Sequence, residues 1–180
     1  MTTIPDIPEE ERIKLYKIAI AHNDITEALF TTRLFLRTVK SIKDWSFQPL
    51  QDAIVIAYAR PFTRNKPYGS LDKKWGEIDD SGLQRLHELI LQTRHTLIAH
   101  SDKKYRNVQI IPPGTSTIPG IPTNKEIALT VSTKKISMDM FPRIERLCLY
   151  VGGRLDKEMF DLLDKLYGNK KLPTKPFDLV

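Results

Sequence analysis

The stretch F-P-R-I-E-R-L-C-L-Y-V-G-G-R-L-D-K-E-M-F-D-L-L-D-K-L-Y, from Phe141 to Tyr167, carries the cleanest apolar stripe in the chain. Phe141, Ile144, Leu147, Cys148, Val151, Leu155, Met159, Leu162, Leu163 and Leu166 recur every three or four residues. That spacing places them on one face of a helix running from about 139 to 167. Gly152-Gly153 inside it weakens the helix and implies close packing or a kink. A helix with one apolar face must bury it against other helices, so the rest of the chain is read for partners.

Three partners are predicted upstream. Over residues 8–40, Pro8 suits a first turn, and Glu9, Glu10 and Glu11 suit the positive end of a helix dipole. Two apolar stripes follow: Ile13, Tyr16 and Ile20, then Ile25, Ala28, Leu29, Leu36 and Val39. They are out of phase by about 120°, which a bend or break near His22-Asn23-Asp24 would reconcile. Residues 46–60 form the next helix, with Ser46 as cap and Pro49 in the first turn. Ala53 to Ala59 is apolar nearly all round, so this helix is expected to be central, ending at Arg60 before Pro61. The third helix starts near Ser81, with Ser81 and Gln84 as a capping box, and reaches about Ala99. Residues 107–111 and 126–133 have strand character, and the segment between them is rich in proline and glycine. The expected fold is mainly all-α: an up-and-down four-helix bundle with a small β-hairpin insertion (about 106–134) between the third and fourth helices. Residues 1–180 are read as a single domain.

Composition narrows the function. The chain has 180 residues, 41% hydrophobic, with one cysteine and a net charge of +6. A single cysteine excludes a disulfide framework and a cysteine-based zinc cluster. No apolar run reaches the ~18 residues that cross a bilayer, so no membrane partner is expected. The acidic, proline-bearing start is unlike a signal peptide, which gives a cytoplasmic expectation. The positive charge is local. Arg60, Arg64, Lys66, Lys73 and Lys74 stand against one acid, Asp72, and Lys103, Lys104 and Arg106 form a second group. Each run alone reads as a solvated loop, but two flanking one helix favour a nucleic acid, with Arg64, Lys66, Lys73, Lys74, Lys103 and Lys104 as candidate RNA-binding residues. Trp75 and Tyr68 in the first run could stack on bases or pack on the bundle. The aromatic pattern of an RNA-stacking sheet is absent.

The third helix carries the chemistry. With Leu83 set at zero, Arg94 falls at about 20° and His87 at about 40°, inside the inward stripe. A buried arginine cannot shed its proton, so it needs a carboxylate, a subunit interface or a bound anion. His100 lies about 120° from Arg94 on a straight helix, so the two converge only if the helix ends or kinks, or if a second subunit supplies the partner. Ser101-Asp102 supports an ending there. An arginine fork and a histidine suit metal-free cleavage of RNA: the histidine moves the 2′-hydroxyl proton and the arginine stabilises charge building on phosphorus. Asp102 could orient His100 or simply end the helix. His87 could line the same cleft or be a satisfied core histidine. Arg60 could face the cleft or interact with its own helix dipole.

Arg94-His95, four residues, then His100 resembles the R-polar-x(4–6)-H motif of the HEPN superfamily (higher eukaryotes and prokaryotes nucleotide-binding). The A-H-S-D ending and the A-Y-A-R-P-F stretch, Ala57 to Phe62, resemble abortive-infection-type members. The resemblance implies a helical bundle, commonly a homodimer with the motif near the dimer cleft. It implies an endoribonuclease of toxin–antitoxin or antiviral defence systems, without cofactor or metal, sometimes held by an antitoxin partner. By position, Arg94 would bind the scissile phosphate, His100 would act as acid/base and His95 would assist. Some members only bind nucleotides or serve as interaction modules, so a non-catalytic dimeric module is the alternative.

Overall fold

The computed structural model describes residues 6–63, 67, 69–99, 106–114, 125–133 and 135–179. The chain is mainly helical. Its described elements are α1 (Glu9–Thr38), α2 (Phe47–Ala59), α3 (Ser81–Thr93), a π-helical turn continuing α3 (Arg94–Ala99), β1 (Arg106–Ile111), β2 (Ala128–Thr133) and α4 (Phe141–Tyr167). No helix among the described residues is long and apolar enough to cross a membrane.

α1 is a single helix of 30 residues, with no break at His22-Asn23-Asp24. Its buried line is Leu15, Ile18, Ala21, Ile25, Ala28, Thr32 and Phe35, followed by Val39 just beyond the helix. The steps are three or four residues throughout, so one continuous helical face carries them. The large residues Ile13, Tyr16 and Ile20 misdirected the pattern: Ile20 is 48% exposed. Small residues on the true face, such as Ala21 and Ala28, carry little hydropathy yet let neighbouring helices approach. Thr32 is tolerated there because its hydroxyl donates to the Ala28 carbonyl at 2.7 Å.

α2 is central as expected, with Ile54, Val55, Ala57, Tyr58 and Ala59 all buried. Ser46 does not cap it through its side chain. The Ser46 amide and hydroxyl instead donate to the Asp44 carboxylate at 3.0 and 2.7 Å. Pro61 falls in a short 3-10 turn, Arg60–Phe62, that closes the helix. α3 is capped one residue earlier than expected. The Asp80 carboxylate accepts from the Gly82 and Leu83 amides at 2.8 and 3.0 Å, and these bonds lower its pKa. Gln84 does not close a capping box with Ser81; its side chain accepts from the Ile78 amide at 2.9 Å.

α4 runs unbroken through Gly152-Gly153. Gly152 faces α1, where an added Cβ would sit in van der Waals contact, 3.6 Å from Ile25 Cγ2, while nothing lies within 4 Å of a Cβ placed at Gly153. α1 packs extensively against both α2 and α4. Phe35, Phe47 and Phe141 join the three helices: Phe35 stacks on Phe141 at 3.6 Å between centroids and meets Phe47 edge-on at 5.1 Å.

The strands pair antiparallel, from Arg106 opposite Thr133 to Ile111 opposite Ala128. The segment after β2 is anchored to the helices. Ile136 is buried, and its amide donates to the buried Gln51 side chain at 2.6 Å. Lys135 lies over the Phe47 ring at 4.8 Å. The C-terminal stretch returns along α1, with Arg12 donating to the Leu179 carbonyl at 3.3 Å.

Candidate functional site

α3 changes from α to π geometry at Arg94. The Arg94 amide is shared between the Ile90 and Leu91 carbonyls. On either side, the Thr93 and Thr96 hydroxyls donate to the Leu89 and Gln92 carbonyls at 2.7 and 2.8 Å. Hydroxyls that compete for carbonyls four residues back loosen a helix, and π turns are frequent where helices carry function.

Within this turn Arg94 is half-buried and His95 exposed. Thr93 is buried, and Arg94, which a regular helical wheel places on the inward stripe, is half-buried at the end of α3. Half-burial leaves the guanidinium a route to solvent or a ligand. Among the described residues no carboxylate pairs with Arg94. His100 and Asp102 lie outside the described residues, as do Arg64, Lys66, Tyr68, Lys103 and Lys104.

The other sequence-derived candidates lie elsewhere. His87 is a core residue. Its Nδ1 is 2.8 Å from the Tyr58 hydroxyl, and its ring meets Phe62 edge-on at 4.7 Å. Its Nε2 faces Gly76, where an added Cβ would come within 3.1 Å. Burial lowers its pKa and pushes the Tyr58 phenol well above its ordinary value, so both stay neutral. Seven residues separate His87 from Arg94, about 10 Å along the helix axis. The His87 ring is therefore occupied at the C-terminal end of α2.

Arg60 turns toward α1. Its Nη1 donates to Asp24 and to Glu27, each at 2.8 Å. The bond to Asp24 does most to raise the guanidinium pKa, burial opposes it, and the bond to Glu27 adds a lesser rise. Asp24 is 10% exposed at its side chain, a carboxylate beside the α1 seam that needs such a partner. A cleft of about 300 Å³ opens beside this cluster, lined by Tyr16, Lys17, Asp24, Arg60 and Leu71. The sequence reading missed this pairing; its signal was an acid directly beside the α1 stripe.

Of the basic run, Lys73 and Lys74 are exposed on a 3-10 turn, Lys73–Gly76. Trp75 is 5% exposed and covered by the Arg154 guanidinium at 5.3 Å, so it packs on the helices and offers no face to a base. Arg154 is held there by the Glu77 and Lys74 carbonyls at 2.8 and 3.0 Å. The exposed tryptophan is Trp45, 88% accessible in the turn between α1 and α2. Among the described residues no group of three or more His, Cys, Asp or Glu could hold a metal ion. Comparison with protein-family models, with curated proteins and with solved structures finds no match to the chain.

Proposed function

We propose that the chain is a HEPN-type endoribonuclease of a defence or toxin–antitoxin system, cutting RNA in the cytoplasm without a metal. In this reading the four helices are an up-and-down bundle, and the paired strands are a hairpin inserted between α3 and α4. The observation that carries it is Arg94: a half-buried arginine without a carboxylate partner among the described residues, in a π-helical turn that opens the Arg94-His95-x4-His100 motif. An always-charged planar fork at the edge of a core is suited to a phosphate.

The chemistry balances without a co-reactant. The 2′-hydroxyl oxygen attacks the adjacent phosphorus, and the bond to the 5′ oxygen breaks. The products are a 2′,3′-cyclic phosphate and a 5′-hydroxyl. His100 carries the proton, Arg94 stabilises the extra negative charge, and His95 assists. Lys73, Lys74 and the other basic residues flanking α3 supply affinity for the RNA backbone.

The test is cleavage of structured and single-stranded RNAs in EDTA by wild type, Arg94→Ala and His100→Ala. Cyclic-phosphate ends from wild type, with at least a ~100-fold loss in each variant, are expected. Wild-type protein that leaves every RNA intact, with or without a co-purified partner removed, overturns the reading. The half-burial of Arg94 also favours a second reading, a non-catalytic module in which a second subunit or a nucleotide completes the site. There, Arg94→Ala weakens sedimentation as a dimer or nucleotide binding, and no RNA product forms.

A further inference from the structure

We infer that the turn between α1 and α2 is a platform for unpaired RNA, on which a base stacks against Trp45 while Arg37, Lys40 and Lys43 meet the adjoining phosphates. Trp45 is 88% exposed, the most accessible large apolar side chain among the described residues. The backbone beneath it is fixed. The Asp44 amide donates to the Ser41 carbonyl at 3.0 Å, the Lys43 amide to the Ser41 hydroxyl at 3.0 Å, and the Phe47 amide to the Asp44 carbonyl at 3.1 Å. A ring on an ordered backbone gives up little freedom when a base stacks on it. The stretch R-T-V-K-S-I-K-D-W, Arg37 to Trp45, holds three cations and one acid. The acid, Asp44, is engaged by the Ser46 amide and hydroxyl, whereas the Arg37, Lys40 and Lys43 side chains are exposed. A fourth cation, Lys135, arrives from the segment after β2 and donates to the Ile42 carbonyl.

The chemistry of the patch selects its occupant. Cations around an exposed indole suit a strand that presents a flat base beside each charged phosphate. A duplex keeps its base faces stacked inside, so the platform favours unpaired bases. An anionic membrane surface would answer the cations, but binding there draws on a long apolar helix face, and this turn adds only Ile42, 47% exposed, to Trp45. An acidic peptide would answer the cations and leave the indole face unused. The platform also lies at the same end of the helices as the Arg94 motif. Phe35 meets Phe47 and Asp24 meets Arg60, so α1 and α2 run antiparallel. His87 meets Tyr58 at the C-terminal end of α2, and the Arg94–Ala99 turn, further along α3, still touches α2. That contact has only the Phe47 side of α2 left to it, the side that follows Trp45. One strand crossing this end can reach both.

The proposal rests on the ribonuclease reading for its ligand, RNA, and not for any cutting. Fluorescence anisotropy of a labelled single-stranded 2′-O-methyl RNA, which lacks the attacking hydroxyl, tests it on the full chain. Trp45→Ala is expected to weaken binding roughly 5- to 150-fold, the loss of one stacked base, with an unchanged helical circular dichroism signal. Trp45→Phe, which keeps a ring, is expected close to wild type. Lys40→Ala and Lys43→Ala are each expected to flatten the dependence of affinity on salt. A duplex of the same sequence is expected to bind wild type and Trp45→Ala equally. Equal affinity of wild type and Trp45→Ala for the single strand overturns the proposal. So does wild type that leaves the single strand unbound, or that binds phosphatidylserine vesicles through Trp45 in its place. Trp45-dependent binding with no RNA ever cut overturns the ribonuclease reading and supports this one; cutting with Trp45-independent binding does the reverse.

Discussion

Phe35 and Phe30 lie on the same helix, five residues apart, and differ only in what surrounds them. Phe35 is 1% exposed and Phe30 is 62% exposed. Truncating a buried phenylalanine to alanine costs roughly 3–5 kcal/mol through lost transfer energy and the cavity left behind. Phe35 is also the shared member of two aromatic contacts, with Phe141 at 3.6 Å and Phe47 at 5.1 Å. Each such contact is worth about 0.5–1.5 kcal/mol beyond area. Phe35→Ala should therefore fall in the upper part of the range, about 4–5 kcal/mol. For a chain of this size that corresponds to a fall in Tm of about 8–20 °C. Phe30→Ala should stay within about 0.5 kcal/mol of wild type. Urea unfolding of both variants, followed by helical circular dichroism, is the assay. Equal losses in the two, or a Phe35→Ala loss below about 2 kcal/mol, would refute the placement of α1 between α2 and α4.

Gln51→Leu removes the acceptor of the buried Ile136 amide, and an unmade buried hydrogen bond costs about 1–3 kcal/mol. Urea unfolding should show that loss, and hydrogen exchange should show faster exchange at Ile136. His87 has a folded pKa below its unfolded value, so the unfolded chain binds the proton first as pH falls. Its contribution is complete above about pH 6.5 and is lost on acidification, at no more than about 1.4 kcal/mol per pH unit. Unfolding curves between pH 7 and pH 5 should show that slope in wild type and a shallower one in His87→Phe. Cys148 is fully buried and its thiol is pushed up to about 12 by burial. A thiol reagent should leave the native protein unmodified and label one site per chain only in denaturant; prompt native labelling would contradict the α4 placement.

The motif at Arg94 was legible because it is local: a residue pattern on one helix needs no knowledge of neighbours. What surrounds it was not. The wheel assumed α geometry to Ala99, whereas the chain turns π-helical from Arg94, where the Thr93 and Thr96 hydroxyls compete for carbonyls four residues back. Trp75 read equally as a stacking platform or a packed side chain. Arg154, 79 positions later in the chain, decides for packing. Arg60 had two local readings, and Asp24 and Glu27 on another helix supply a third.

By itself the sequence determined a mainly helical chain, the long α4 stripe, a central α2, strand character in the segment before α4, and a basic surface. These follow from periodicity and composition, which are properties of neighbours along the chain. Tertiary structure alone decided that α1 runs unbroken, that Asp80 and not Ser81 caps α3, and that His87 belongs to Tyr58. Each of those outcomes is a competition between alternative partners. A small residue such as Ala21 or Ala28 has almost no hydropathy signal, and only the approach of a second helix turns it into the contact that fixes the fold.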